Sequence, residues 1–258
     1  MLYNCRPVFF ASKRKFIINR RFFENEKNLF IISPHTGYLD GIVLGSLVPG
    51  SFTTKRDIKR VPFLNWVVSV GGSIFIDRRK KADVKDYIDR MTERLQNGIN
   101  IFNFPEGHAT NGKMILPFFS AFFNAPLRAR SSIVPVVIDY AKVNGSRDFC
   151  RSEIYHYDGK TSIIKHLWNL MKFESLEVEV TIFDKIQING HRPDSQGRKL
   201  LSEQCLNRLS RYANLPVEQE HHGPNTHHQG DHVYRANEAG LNEHPDSFHV
   251  SGGLGHEI

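Results

Sequence analysis

Apolar residues come in short blocks along this chain, and the blocks differ in kind. LFIIS (29–33) is a continuous apolar run and reads as a buried strand. Residues 40–48, with the run IVLGSLV, read as a buried helix. SFTTK (51–55) is a short strand candidate, and GSIFID (72–77) is a strand by its apolar, β-prone content. From residue 82 to 95 the apolar positions are Val84, Tyr87, Ile88, Met91 and Leu95, which is helical spacing; Asn97-Gly98 then gives a stop. INIFNF (99–104) and IVPVVI (133–138) read as strands. LEVEVTI (176–182) alternates strictly, as a half-exposed strand does. Residues 198–212 read as a helix with Leu200, Leu201, Leu206 and Leu209 on one side. Met91 and Leu95 read as core. Strands alternating with helices predict an α/β layered domain: a mainly parallel central sheet flanked by helices.

Composition divides the chain into three. Residues 1–28 hold seven basic and two acidic residues interleaved with five phenylalanines. Such mixing suits a membrane surface and equally a first helix packed on the core. Residues 29–216 carry the strand–helix pattern. Residues 217–258 carry seven acidic residues, one basic residue and eight of the thirteen histidines, so this His-rich acidic tail reads as disordered. Its histidines are scattered rather than at ligand spacing, so no metal site is expected there or elsewhere. The formal charge is +7. The tail holds 1 basic and 7 acidic residues (−6), which leaves 33 basic and 20 acidic residues (+13) on the rest. A body of that sign attracts anions such as lipid headgroups, phosphorylated metabolites or nucleic acid. Three cysteines far apart, with no CxxC, argue against a disulfide framework and fit a reducing compartment. No run of 18 apolar residues is present, so no transmembrane helix is expected. Trp66 and Trp168 fit either the core or a membrane interface, and His156 and His166 have no evident partners.

The chain lacks GxSxG, GxxxxGK[ST], GxGxxG and HExxH. A serine hydrolase, a P-loop NTPase and a zincin are therefore disfavoured. Polar residues cluster instead where apolar strands end: His35 and Asp40 after the first, Arg78 after another, Glu106 and His108 after a third. Open parallel sheets bind ligands outside the carboxyl ends of their strands. One histidine near a strand end is usually a satisfied structural residue, but three such ends together make a candidate site. His35 and Asp40 pose a geometric condition. On a straight helix, five residues leave side chains roughly 140° apart, so the two meet only if the chain bends. Gly37 is expected to supply the freedom for that turn.

Four blocks then occur in order. PHTGYLD (34–40) resembles the NHxSxxD box of the glycerolipid acyltransferases, the lysophosphatidic acid acyltransferase-like proteins, with His35 and Asp40 fitting H-x4-D. GSIFIDR (72–78) resembles the family's G-x-I-F-I-x-R block. FPEGH (104–108) resembles F-P-E-G-T, and IVPVVI (133–138) resembles the apolar block with a central proline. H-x4-D alone is a weak signal; four blocks in order across residues 30–140 are a strong one. The resemblance implies transfer of an acyl group from acyl-CoA or an acyl-carrier protein, as co-substrate, to a lysophospholipid hydroxyl in phospholipid biosynthesis. It implies no further cofactor.

The residues suit that chemistry. An alcohol is a weak nucleophile at neutral pH and needs a base as it attacks. His35 is the candidate base, and Asp40 would hold its tautomer and stabilise the imidazolium. Arg78 and Lys55 are candidates for an acceptor phosphate. By the resemblance, Glu106 contacts acceptor hydroxyls, Gly107 allows close backbone approach, and Pro135 shapes the acyl or thioester side. The chain departs from the family pattern at Pro34, Gly37, His108 and Ala109, where the family has Asn, Ser, Thr and Arg. The missing arginine leaves room for a non-glycerol acceptor such as a lyso-ornithine lipid. A catalytically inactive lipid-binding relative and an acyl hydrolase are further readings. No helix-turn-helix, zinc or RNP-like pattern supports nucleic-acid binding, so no nucleic acid is expected. The expected location is peripheral, on the cytoplasmic face of an anionic membrane.

Overall fold

A computed structural model describes residues 3–5, 8–10, 26–55, 72–76, 81–156 and 162–218. Within them are strands β1 (Tyr3–Cys5), β2 (Val8–Phe10), β3 (Leu29–Ile32), β4 (Gly50–Lys55), β5 (Ile74–Ile76), β6 (Asn100–Asn103), β7 (Ser132–Val143) and β8 (Ser175–Ile182). The helices are α1 (Tyr38–Leu47), α2 (Lys81–Gln96), α3 (Asn124–Ala129), α4 (Ile163–Leu170) and α5 (Ser195–Ala213). One sheet runs β1-β8-β7-β3-β6-β4-β5, with β2 also on β8. The five strands from β5 to β7 are mutually parallel, and β8 pairs antiparallel with β7, β1 and β2.

The continuous apolar runs become the central strands because both faces of a parallel sheet are covered. All four residues of β3 are buried. Phe30 and Ile32 pack on one face with Val84, Tyr87 and Met91 of α2. Leu29 and Ile31 pack on the other with Val43, Leu44 and Leu47 of α1. Met91 and Leu95 are fully buried, as their spacing predicts. In β8, Val178, Val180 and Ile182 point inward, which is the alternation read from LEVEVTI.

The two cores locate a crevice. The chain leaves β3 into α1, against one face; it leaves β6 towards residues 118–127, against the other. Strands β3 and β6 are neighbours, so their carboxyl ends form the switch point where open α/β sheets bind ligands.

One expectation fails and two open readings narrow. Residues 3–5 and 8–10 are edge strands on β8, not part of a first helix; the other residues before Glu26 lie outside the described set. Leu200 does not join Leu201 and Leu209: it is 51% exposed, because α5 faces the core at four-residue intervals through Leu201, Cys205 and Leu209, with Leu206 at the border. Trp168 is an exposed residue rather than core, and Trp66 lies outside the described residues. The expected disordered tail also lies outside them from residue 219; Val217 forms a parallel bridge with Ile115. Cys150 and Cys205 are free thiols. No helix among the described residues is long and apolar enough to cross a membrane.

Candidate active site

The chain bends between β3 and α1, and one carboxylate organises the bend. Asp40 lies in the first turn of α1 and is 1% exposed. Its Oδ2 accepts hydrogen bonds from Thr36 N (2.6 Å) and Gly37 N (3.1 Å), and lies 2.9 Å from His35 Nδ1. Its Oδ1 accepts from the Thr36 hydroxyl (3.1 Å) and the Tyr140 hydroxyl (2.7 Å). The backbone N–H groups of a helix's first turn lack intrahelical partners, and a carboxylate there also complements the helix dipole. Asp40 thus accepts from the N-cap residue of α1, Gly37, and holds the imidazole with the same oxygen, Oδ2. Since a carboxylate only accepts, Nδ1 carries the proton and Nε2 keeps a free lone pair.

Gly37 is needed for a different reason than expected. Its φ of 163° and ψ of −178° are extended backbone that any residue adopts. What excludes a side chain is the neighbouring backbone: a Cβ here would lie 2.9 Å from His156 N, which itself donates to Thr36 O at 3.0 Å. Gly37→Ala is expected to destabilise the domain by about 1–3 kcal/mol through overpacking. Urea unfolding would read it; a change below about 0.5 kcal/mol would mean that the segment yields easily.

The His35 backbone is held as firmly as its ring. Its N–H donates to Glu106 Oε1 at 2.9 Å, and its carbonyl accepts from Thr110 N at 2.7 Å. The other oxygen of Glu106 accepts from Leu116 N at 2.9 Å. Glu106 is 1% exposed, so its carboxyl ties the end of β3 to the loop after β6. That loop turns at Gly107, whose φ of 84° is left-handed and whose N–H donates to Phe104 O at 3.0 Å. The Phe104 ring stacks on the His35 ring at 4.0 Å.

Burial pushes Glu106 up from 4.5 to about 8, opposed by the N–H groups of Leu116 and His35 and reinforced by the charge of Asp40. The folded state therefore prefers the neutral acid. A raised pKa contributes stability below the unfolded value, and that contribution is lost as pH rises towards the folded one. Stability should fall between about pH 5 and 8 and be flatter in Glu106→Gln. Urea midpoints at pH 5.5, 7 and 8.5 check this; parallel slopes in both proteins would assign the dependence elsewhere.

A cleft of about 220 Å³ opens beside the bend, lined by His35, Thr53, Thr54, Asn103, Gly107 and His108 among others. It occupies the carboxyl ends of β3, β4 and β6. Ala109 also lines it, so two of the positions that depart from the family pattern face the cleft. Lys55 ends β4, opposite Ile76 of β5, but its side chain lies outside the described residues, as does Arg78. Pro135 is inside β7 opposite Ile32, where its carbonyl accepts from Phe183 N at 3.0 Å. Pro135 does not line the cleft.

Residues 15–139 match the Acyltransferase family model. That stretch of the chain is similar to the acyltransferases of the lysophosphatidic acid acyltransferase-like family. A lyso-ornithine lipid O-acyltransferase of Pseudomonas aeruginosa is 28% identical to it over 159 residues, covering 62% of this chain and 59% of that protein. A 1-acyl-sn-glycerol-3-phosphate acyltransferase of Neisseria gonorrhoeae is 26% identical over 157 residues, covering 61% and 60%. The match thus spans about 60% of the length of these relatives. The crystal structure of the 1-acyl-sn-glycerophosphate acyltransferase PlsC of Thermotoga maritima shares the fold, with a TM-score of 0.50 at 16% identity, covering 76% of this chain and 70% of that one.

Sequence reading missed several residues that build the site. Tyr140 stands 100 positions from Asp40 and gives no local signal. Burial, and then the Asp40 charge, raises its pKa well above 10, so the hydroxyl remains a donor. Thr36 lies inside the first block and caps Asp40 through both N–H and hydroxyl, a short-range pattern that its spacing could have disclosed. His166, which had no evident partner, is 2.8 Å from the Tyr38 hydroxyl through Nδ1, and its ring lies 5.1 Å from that of His156. Burial pushes the Tyr38 phenol up to about 12, while burial and then His156 lower the pKa of His166. Tyr38 is therefore the donor and neutral His166 the acceptor.

Proposed function

We propose that this domain transfers a fatty acyl group from a thioester, acyl-CoA or acyl-carrier protein, to the hydroxyl of a lysophospholipid at an anionic membrane surface. His35 acts as general base. The acceptor oxygen attacks the thioester carbonyl carbon while His35 Nε2 takes its proton. The tetrahedral intermediate collapses, the C–S bond breaks, and the proton passes to the departing thiolate. Asp40 keeps its charge throughout and steadies the imidazolium. The observation that carries this reading is the 2.9 Å His35–Asp40 contact beside a cleft lined by the same imidazole.

The other sequence candidates take supporting roles. Lys55 and Arg78 bind the acceptor's anionic group; Lys55 ends β4, whose Thr53 and Thr54 line the cleft, and Arg78 comes two residues after β5, which pairs with β4. Glu106 and Gly107 serve the acceptor by fixing the loop that faces it, since both Glu106 oxygens are already engaged by backbone donors. Pro135 shapes the acyl side from within β7. No metal or organic cofactor enters these steps.

A non-glycerol acceptor such as lyso-ornithine lipid is the second reading. His108 and Ala109 favour it, because both line the cleft where the family pattern has Thr and Arg. Thiol release from oleoyl-CoA would be measured with lysophosphatidic acid, with lyso-ornithine lipid and without acceptor. Acceptor-dependent release with an esterified product is expected, and the better acceptor separates the two readings. Release of free fatty acid without acceptor would replace both with a hydrolase.

A further inference from the structure

Helix α4 and its C-cap residue Met171 present an apolar stripe outward. Ile164 is 71% exposed, and Trp168 and Met171 are each 66% exposed. They are the three most exposed large hydrophobic residues among those described. Spacings of four and three place them within about 60° of the helix circumference. Lys165 and Lys172 lie to one side of the stripe.

The opposite face of α4 is anchored near the catalytic bend. His166 is 4% exposed and bonded to Tyr38, the first residue of α1 and two before Asp40. Leu170 packs on the core beneath α1. The stripe is therefore held outward by a fixed inner face, and it sits on the element bonded to the turn that carries His35.

Tryptophan and aliphatic side chains on one helical face, bordered by lysines, match the boundary between acyl chains and headgroups. Lysine stems reach along apolar surface while their ammonium groups meet anionic headgroups, which complements the positive charge of the body. A protein partner fits less well. Three side chains on one two-turn helix fall short of the area that a stable protein interface buries, whereas entry into a bilayer needs no shape match.

The geometry points to α4 as the membrane seat of this protein: Ile164, Trp168 and Met171 enter the bilayer interface, and Lys165 and Lys172 bind anionic headgroups. This deepens the proposed function and rests on it for its purpose, which is to bring the His35 bend to an acceptor held in the membrane.

The chain has two tryptophans, so Trp66→Phe leaves Trp168 as the sole reporter. Its fluorescence would be followed on adding phosphatidylglycerol vesicles whose acyl chains carry bromine. A blue shift with quenching is expected. Ile164→Ser with Met171→Ser should weaken vesicle binding by about tenfold or more and leave thermal stability unchanged. That pair should also spare acyl transfer to a short-chain, monomeric acceptor while lowering transfer to a vesicle-embedded one. If Trp66→Phe does not fold, co-sedimentation of the serine pair with vesicles carries the same test.

Vesicle binding without quenching, or equal binding by the serine pair, would overturn the proposal. Self-association abolished by Trp168→Ser, without vesicle binding, would assign the stripe to a protein contact instead. Absence of acyl transfer in every arm would overturn the proposed function. The membrane seat would still be judged, because quenching and vesicle binding are read without substrate.

Discussion

His35→Ala is expected to lower acyl transfer by about 10²–10⁴-fold, the range usual for removing a general acid–base group. The loss should appear in kcat, because the role proposed for the imidazole is on the proton that moves in the transition state. The fold should persist. The His35 side chain is 21% exposed, and its backbone anchors to Glu106 and Thr110 do not depend on the ring. Alanine forfeits the stack on Phe104 and one hydrogen bond to Asp40, which still accepts from Thr36, Gly37 and Tyr140. A stability change of about 1 kcal/mol is expected. Thiol release, product analysis and urea unfolding on one preparation would measure both sides. Near-normal turnover in a folded variant would remove His35 from the role of base.

Asp40→Asn should lose both activity and stability, and this separates it from the first substitution. An amide offers one accepting oxygen where the carboxylate offers two. If the amide nitrogen takes the Oδ2 site, it opposes Thr36 N and Gly37 N and removes the acceptor for His35 Nδ1. If it takes the Oδ1 site, the hydroxyls of Thr36 and Tyr140 can turn to accept from it, but their own protons lose that acceptor. Both orientations leave donors unpaired in a site that is 1% exposed. Each buried donor left unsatisfied costs about 1–3 kcal/mol, so a total of about 2–4 kcal/mol is expected. Turnover should fall by about 10²-fold or more, because a neutral amide does not stabilise the imidazolium and, with its nitrogen at the Oδ2 site, does not fix the tautomer. Tyr140→Phe removes a single donor and should cost about 1 kcal/mol. Wild-type stability in Asp40→Asn would contradict the capping role; wild-type turnover would contradict the orienting one.

The two substitutions probe different structural levels, because Asp40 serves the helix and the base at once. The same carboxylate accepts the N–H groups of Thr36 and of the N-cap residue Gly37 and holds the imidazole, so the entry into α1 and the orientation of His35 share one oxygen. Glu106 repeats the arrangement from the other side. It binds the His35 backbone across 71 residues of sequence, and the cleft lies between the two strand ends that it joins.

What the sequence determined by itself was whatever depends on near neighbours. The apolar run at 29–33 became the buried strand β3, and the helical spacing of Val84, Tyr87, Ile88, Met91 and Leu95 became the buried face of α2. The alternation at 176–182 became β8 with its inward valines. The resemblance of four short blocks pointed to the acyltransferases that the chain is similar to, and the need for a bend between His35 and Asp40 followed from residue geometry alone. Tertiary structure decided everything that depends on distant approach. Tyr140 reaches Asp40 from 100 residues away, and the backbone of His156 is what makes residue 37 a glycine. Leu200 turned out of α5, and Trp168 stands in the open rather than in the core. The physical reason is the range of the cause. Periodicity and capping are set within a turn or two of chain, whereas packing, cleft lining and exposure are set by which segments the sheet order brings side by side.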